Sequence, residues 1–454
     1  MNKILTIIAF IVISLNGISQ NDSLCKSITT QSVDWLRNGE AEKLHKLFTE
    51  KVASKLDVET TASIWKQLAS QYGKFEKIDT IYSKIILPNL VVDCILSFEE
   101  GSLKYRLTFN KENKIAGIFF IPYKTKKAKE REPQEMVDFY EQKYTFTNQG
   151  FEFPAMFCYP KNQKIVAIAV FVHGSGPNDM DETIGPNKIF LQLAHELAKK
   201  GIASLRYDKR TYIAQQNGKT EGLKTDIDNV VVNDAVKAIE LVKLNDSLKD
   251  VNIYVIGHSL GAHLSPRIAQ KSGKLSGIIL MAGNSRPLED LVVEQYEYLY
   301  ARGGYSKAEK TEIKKIKKQA KNVKRLEKDL RKNSDMELNL PLTNDTAFWL
   351  SLTRYNPIET AKSISTPMLI LQGSRDYQVT RADFKNWRKG LGARKHTNYI
   401  YYTDLNHLFI KGKGESYPEE YNRKGNISPV VITDISNWIN NTNNSNFKHS
   451  TLVH

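Results

Sequence analysis

Gly257-His258-Ser259-Leu260-Gly261 sets a serine between two glycines, a spacing suited to attack by an activated hydroxyl on a carbonyl carbon. A serine hydroxyl is a weak nucleophile unless a base removes its proton and a third group fixes that base. Nine histidines are available, but only His407, within Asp404-Leu405-Asn406-His407, falls after the last expected strand and before the closing helix. The acid is Asp376, which follows the apolar run Met368 to Leu371 in Gln372-Gly373-Ser374-Arg375-Asp376. Asp404 is a rival, yet it shares the loop of His407 and suits shaping that loop better. His258 diverges from the adjacent serine, His263 falls in the following helix, and His396 precedes its strand. The tetrahedral oxyanion of such a reaction needs two N–H donors, each contributing about 3 kcal/mol to the transition state. Leu260 N–H is one expected donor. Ser175 N–H, in His173-Gly174-Ser175-Gly176, is the other, and His173 props that loop. This chemistry calls for no metal and no cofactor.

Certain elements must hold these residues. Ile253, Val255 and Ile256 give the β-branched run of a strand buried on both faces, and Ala262, Leu264, Ile268 and Ala269 continue at helical spacing. A buried strand therefore runs into Ser259, and a helix leaves it with its free N–H groups facing developing negative charge. Gln142 to Thr147 and Phe151 to Tyr159 read as an opening hairpin, and Ile165 to Val172 as a strand. A helix near Ile189 to Lys200, the strand Ile202 to Tyr207 and a helix Ile227 to Leu244 precede the strand that leads into Ser259. Further strands are expected at Gly277 to Met281, Pro367 to Leu371 and Asn398 to Tyr402, with a closing helix over Val430 to Ile439. Repeated βα crossovers predict a mostly parallel sheet, which gathers reactive groups at the strands' carboxyl ends.

Between about residues 285 and 360 the alternation stops. Ile313, Ile316, Ala320, Val323, Leu326 and Leu330 make one apolar stripe of a lysine-rich helix, flanked by Tyr296, Tyr298, Tyr300, Phe348, Trp349 and Tyr355. A lid is expected there, its stripe roofing an acyl pocket and its cations outward; plain packing is the commoner fate of such aromatics.

Upstream, helices over Ser23 to Tyr72 precede four short strands from Thr80 to Ile121, a small α+β domain over residues 21–123 with no acid/base constellation. A folding or docking module is its expected role. The charged stretch 124–134 reads as a linker to a catalytic domain over 135–441, and 442–454 as a disordered tail. Lys3, the apolar core Ile4 to Leu15, and Gly17 and Ser19 at a cleavable spacing read as an export signal over residues 1–20. That core is shorter than the roughly 20 residues of a spanning helix, so a periplasmic or extracellular protein without a stable membrane span is expected. Three cysteines, Cys25, Cys94 and Cys158, rule out a complete disulfide framework.

With 454 residues, 41% hydrophobic and 25% charged, the chain has the balance of a globular protein of two domains. The formal charge of +15 raises a nucleic-acid reading, but Ser306 to Lys332 alone holds twelve Lys or Arg against four Asp or Glu. With no zinc-finger or RNP-type aromatic motif beside it, that run reads as a solvated face, and no nucleic-acid partner is expected.

Five segments in order, His173-Gly174-Ser175-Gly176-Pro177-Asn178-Asp179, Arg206-Tyr207-Asp208-Lys209-Arg210, Gly257 to Gly261, Gly373-Ser374-Arg375-Asp376 and Asn406-His407, resemble the α/β-hydrolase superfamily. The resemblance is to secreted two-domain bacterial carboxylesterases of the EstD type, near the serine aminopeptidase branch. It spans about Glu135 to Ile439, and the N-terminal domain more loosely resembles NTF2-like accessory domains. The resemblance implies Ser259 as nucleophile, His407 as base then acid, Asp376 as its orienter, and Asp208 and Arg210 as a structural turn. A small-molecule acyl ester is the implied substrate, cleaved through an acyl-enzyme. Peptide or aminopeptide cleavage, acyl transfer and thioester hydrolysis use the same machinery, and a catalytically dead binding protein is the alternative of another class. Neither the natural acyl group nor the oligomeric state is encoded in these motifs.

Overall fold

The computed structural model describes residues 22–86, 89–123, 138–217, 223–302, 304–305, 307–332, 339–342, 345–392, 394–444 and 451–454. The expected export signal and linker lie outside them. The chain divides into two compact units, Met1–Gln134 and Glu135–His454.

The first unit carries α1 (Asp22–Arg37), α2 (Ala41–His45), α3 (Glu50–Ala53) and α4 (Val58–Tyr72), then β1 (Phe75–Ile86), β2 (Asn89–Phe98), β3 (Gly101–Phe109) and β4 (Ile115–Tyr123). The strands pair antiparallel in sequence order. Alternation along β3 buries Leu103, Tyr105, Leu107 and Phe109 against Val33 and Leu36 of α1 and Leu68 of α4. The helical region starts where Asp57 caps α4 by accepting Thr60 N–H at 2.7 Å. Cys25, Cys94 and Cys158, the last in the second unit, are all buried free thiols.

The second unit opens with the hairpin β5 (Phe139–Asn148) and β6 (Phe151–Pro160), then β7 (Ala167–Val172), a small ribbon of β8 (Thr183–Ile184) and β9 (Asn187–Lys188), and α5 (Ile189–Ala198). Next come β10 (Ile202–Tyr207), α6 (Arg210–Gln216), a π-helical turn Asp228–Val232 running into α7 (Asn233–Leu244), β11 (Asn252–His258), α8 (Leu260–Ser272) and β12 (Gly277–Met281). An insertion of α9 (Leu288–Ala301), α10 (Lys307–Lys332), α11 (Thr346–Thr353) and α12 (Pro357–Ser363) follows. The chain closes with β13 (Met368–Gly373), α13 (Arg381–Leu391), β14 (Thr397–Tyr402), α14 (Pro429–Asn443) and β15 (Thr451–Val453). The sheet order is β15-β14-β13-β12-β11-β7-β10-β6-β5, parallel except for the opening hairpin. β7 and β11 to β13 are apolar and buried almost throughout, because α-helices cover both faces.

One expectation needs correcting. The end of the chain is not a disordered tail in its described parts: α14 continues to Asn443, and Thr451 to Val453 pairs in parallel with Tyr399 to Tyr401. That added strand satisfies the otherwise open edge of β14, a gain that polar composition alone does not reveal. The stripe of α10 is buried, as expected. Ile313, Ile316, Ala320, Val323 and Leu326 are 9% exposed or less, and Val323 and Leu326 belong to the same core as Leu340, Trp349 and Leu352. The cations face outward as expected, several of them paired, as in Lys317–Glu297 and Lys324–Asp290. Leu326, fully buried, should therefore act as a core residue: Leu326→Ala is expected to lower unfolding stability by about 2–5 kcal/mol, read by urea denaturation. A change under about 0.5 kcal/mol would mean that α10 is not packed as described.

Candidate active site

Because β7, β11, β12, β13 and β14 run parallel, the loops leaving their carboxyl ends meet along one edge of the sheet. Ser259 leaves β11 at φ +54° and ψ −116°, a left-handed conformation that costs a non-glycine residue roughly 1–2 kcal/mol. The turn closes only because its flanks lack side chains: a Cβ on Gly257 would lie 2.4 Å from Gly261 O, and one on Gly261 would lie 2.1 Å from Val172 O. Ser259 N–H donates to Met281 O at 2.9 Å, which fastens the strained residue to β12. Ser259 is partly exposed, whereas Leu260, the first residue of α8, is buried. In that first turn the Leu260 N–H has no acceptor within the helix.

Asp376 and His407 come together. His407 Nδ1 lies 2.8 Å from Asp376 Oδ2, and both side chains are almost wholly buried. The carboxylate is held on every side: Oδ1 accepts the N–H groups of Gln378 and Val379 at 2.8 and 2.9 Å, and Oδ2 also accepts Gln372 Nε2 at 3.0 Å. The two loops are stitched by Arg375 N–H to Leu405 O at 3.0 Å and Ser374 N–H to Tyr402 O at 2.7 Å. Asn406 shapes the His407 loop, its Oδ1 accepting Leu408 and Ile410 N–H. Asp404 instead pairs with Lys411 at 2.8 Å with its side chain 38% exposed.

The loop after β7 abuts the serine, since a Cβ on Gly174 would stand 3.1 Å from Ser259 Cβ. Gly174 N–H is already given to Glu182 Oε1 at 2.7 Å, so it is not available to a substrate oxygen. Gly174 O accepts Lys209 Nζ at 2.6 Å and Asn178 Nδ2 at 3.1 Å. In a trans peptide the next N–H points opposite that carbonyl, so these contacts set the direction of Ser175 N–H. Glu182 and Lys209 as holders of this loop were not predicted from sequence. Lys209 does sit in the Arg206 to Arg210 segment, and its burial with Gly174 follows from β10 pairing with β7. In the same segment Asp208 Oδ1 accepts Met180 N–H at 2.7 Å, and Arg210 makes a two-pronged contact with buried Asp234.

None of the other candidate histidines is placed as the base. His258 is turned to Glu182 and to the His407 backbone carbonyl, at 3.2 and 2.9 Å. His263 Nδ1 meets Asn284 O at 2.8 Å, and His173 is buried against Phe190 and Tyr207. Burial pushes both His173 and His263 down to about 4, and Lys209 down to about 8. The two depressed histidines predict acid sensitivity. Between their ordinary 6.5 and about 4 the unfolded chain binds protons that the folded chain refuses, so stability falls as pH falls through that window. The loss should be on the order of 2 kcal/mol for each, partly opposed by His258, whose contact with Glu182 is favoured by protonation. Thermal unfolding from pH 7 to pH 4.5 should show a falling Tm; a flat or rising Tm would contradict neutral buried imidazoles.

Of the flanking aromatics, Trp349 is fully buried with Nε1 donating to Pro341 O at 3.1 Å, and Tyr355 donates to His263 O at 2.9 Å. Tyr298 of α9 differs. It stacks between Tyr377, next to Asp376, and Tyr417, with ring centroids 5.2 and 5.3 Å away. Gln295 Nε2 donates to Gln378 O at 2.9 Å, so α9 is fastened beside the Asp376 loop. Among the described residues no group of three or more His, Cys, Asp or Glu is arranged to hold a metal, and no helix is long and apolar enough to cross a membrane.

Residues 164–413 match the family model described as serine aminopeptidase, S33. The chain belongs to this family of α/β-hydrolases. Residues 30–118 match a second family, described as proteins of unknown function (DUF3887), which makes the first unit an NTF2-like domain preceding the hydrolase domain. Esterase EstD of Thermotoga maritima is 36% identical over 411 residues, covering 90% of this chain and 93% of that protein. Solved structures with a similar course include Est1E from Butyrivibrio proteoclasticus, 13% identical over 66% of this chain and 98% of that one, TM-score 0.43. The Pyrococcus furiosus esterase Pf2001 is 15% identical over 66% and 92% of the two chains, TM-score 0.40.

Proposed function

We propose that this α/β-hydrolase is a serine carboxylesterase in which Ser259 is the nucleophile, His407 the general base and then acid, and Asp376 the group that orients it. The observation carrying this reading is the buried 2.8 Å contact from His407 Nδ1 to Asp376, in the loops that follow β14 and β13, with Ser259 strained outward after β11. His407 Nε2 takes the Oγ proton as Oγ attacks the ester carbonyl carbon. The resulting oxyanion is met by the N–H groups of Ser175 and Leu260. Collapse expels the alcohol, which receives the proton from His407 and leaves an acyl-Ser259. Water then attacks the acyl carbon, giving its proton to His407, and the carboxylic acid departs with Oγ reprotonated. The 36% identity to an esterase over nearly the whole chain favours esters over the amides suggested by the family's description.

The insertion from about 285 to 360 serves in this reading as a lid, supported by the stacking of Tyr298 beside Asp376. Export, proposed from residues 1–20, is tested by the N-terminus of the mature protein. Rates on aryl acetates, butyrates, octanoates and feruloyl esters against matched aminoacyl amides test the substrate class. Ester turnover should exceed amide turnover by at least about a hundredfold, a difference of ~2.7 kcal/mol in barrier. Faster amide cleavage would replace this reading with a peptidase.

A further inference from the structure

Glu182 and His258 are each 1% exposed, and no step of the proposed reaction uses either. Glu182 stands at φ +49°, a conformation disfavoured for a residue with a Cβ, so the fold holds it there against local strain. Its Oε1 accepts Gly174 N–H at 2.7 Å and lies 3.2 Å from His258 Nδ1. The other ring nitrogen, Nε2, is 2.9 Å from the backbone oxygen of His407. Both ring nitrogens therefore face acceptors, and a lone pair on either would oppose an oxygen. These facing oxygens favour the doubly protonated ring, an imidazolium beside a carboxylate. The 3.2 Å contact is an ion pair off the line of a hydrogen bond.

Titration agrees in direction. Burial works against both charges, yet the attraction between them raises His258 and holds Glu182 below the usual carboxylate range. His173 and Lys209 also face this pair from the Glu182 side, and Asp376 from the His407 side. A buried ion pair contributes little net stability, which leaves its geometry as the more telling property.

We propose that Glu182 and His258 are positioning residues that lock the His173–Gly174 peptide, next in the chain to the one carrying Ser175 N–H, to the His407 loop, so that oxyanion donor and proton acceptor keep one geometry about Ser259. The loop leaving β7, the end of β11 and the loop leaving β14 are thereby joined through Glu182 Oε1 and the His258 ring. A carboxylate suits the place because Oε1 accepts Gly174 N–H while its charge faces the imidazole. A glutamine oxygen there brings its NH2 nearby without the charge that holds the imidazolium, and a glutamine NH2 there confronts Gly174 N–H, donor to donor. This inference rests on the Ser259–His407–Asp376 reading.

The test uses the full chain with Glu182→Gln, with His258→Gln, which keeps a donor toward His407 O but loses the contact with Glu182, and with the two combined. kcat and KM on an aryl ester are normalised to sites labelled to completion by a fluorophosphonate. Each single change should lower kcat about 10- to 100-fold with KM within about threefold, the cost of a small misplacement of reacting groups. The double variant should fall no more than about threefold below the worse single, because both break one link. Singles within about twofold of the parent, or multiplying losses in the double, overturn the proposal. If Glu182→Gln does not fold, His258→Gln decides alone: a kcat lowered about 10- to 100-fold supports the proposal, and one within about twofold of the parent overturns it. A parent protein that hydrolyses esters without labelling Ser259 refutes the underlying reading instead.

Discussion

Ser259→Ala is expected to lower kcat on aryl esters by about five to six orders of magnitude, leaving only what the oxyanion donors and binding provide. The expectation follows from position, since Ser259 is partly exposed, strained at φ +54° and followed by the free N–H groups of α8. The fold should be unaffected, because the contact fastening this turn is made by the backbone, Ser259 N–H to Met281 O. Initial rates on purified variant, with circular dichroism as the control for folding, measure the effect. Retention of more than about 1% of parental kcat would place the nucleophile elsewhere, since non-nucleophilic terms rarely recover so much.

Asp376→Asn should lower kcat by about four orders of magnitude, and the partners of the carboxylate explain why. Its Oδ1 accepts two backbone N–H groups, so an asparagine at 376 must turn its oxygen to them. The amide NH2 then faces His407 Nδ1 as a donor where an acceptor stood. His407 must answer with a lone pair on Nδ1 and its proton on Nε2, the tautomer unable to accept from Ser259. Asp404→Asn should stay within about threefold of the parent, because Asp404 pairs with exposed Lys411 and its own side chain is 38% exposed. Steady-state kinetics of the two variants side by side check this. A larger loss at 404 than at 376 would reverse the assignment.

What could be read in the sequence follows from range of interaction. Apolar runs such as Ile202 to Tyr207 and Gly277 to Met281 name their strands directly, because a parallel strand is buried on both faces. Candidate residues could be picked by their place after such strands, since the topology brings the strands' carboxyl ends together. Partners that no local pattern encodes stayed invisible. Glu182 meets Gly174 and His258 only through a left-handed residue just before a two-residue strand, and no periodicity announces it. Thr451 to Val453 follows an Asn-rich stretch and pairs solely because β14 leaves an edge open. The apolar stripe of α10 was legible as amphipathic, but which surface it covers depends on Leu340, Trp349 and Leu352, which lie beyond it in the chain. Short helices such as α6 and α12 hold too few residues for a periodic signal.

The central claim is that Ser259 is an activated nucleophile, and covalent trapping tests it most directly. Reaction of the full chain with a fluorophosphonate, followed by peptide mass spectrometry, should give one adduct per chain, on Ser259, in parallel with complete loss of ester hydrolysis. The adduct should be absent from Ser259→Ala and form at least about a hundredfold more slowly in Asp376→Asn, where the base is in the wrong tautomer. An adduct on any other residue, or ester hydrolysis that persists after Ser259 is fully modified, would contradict the account.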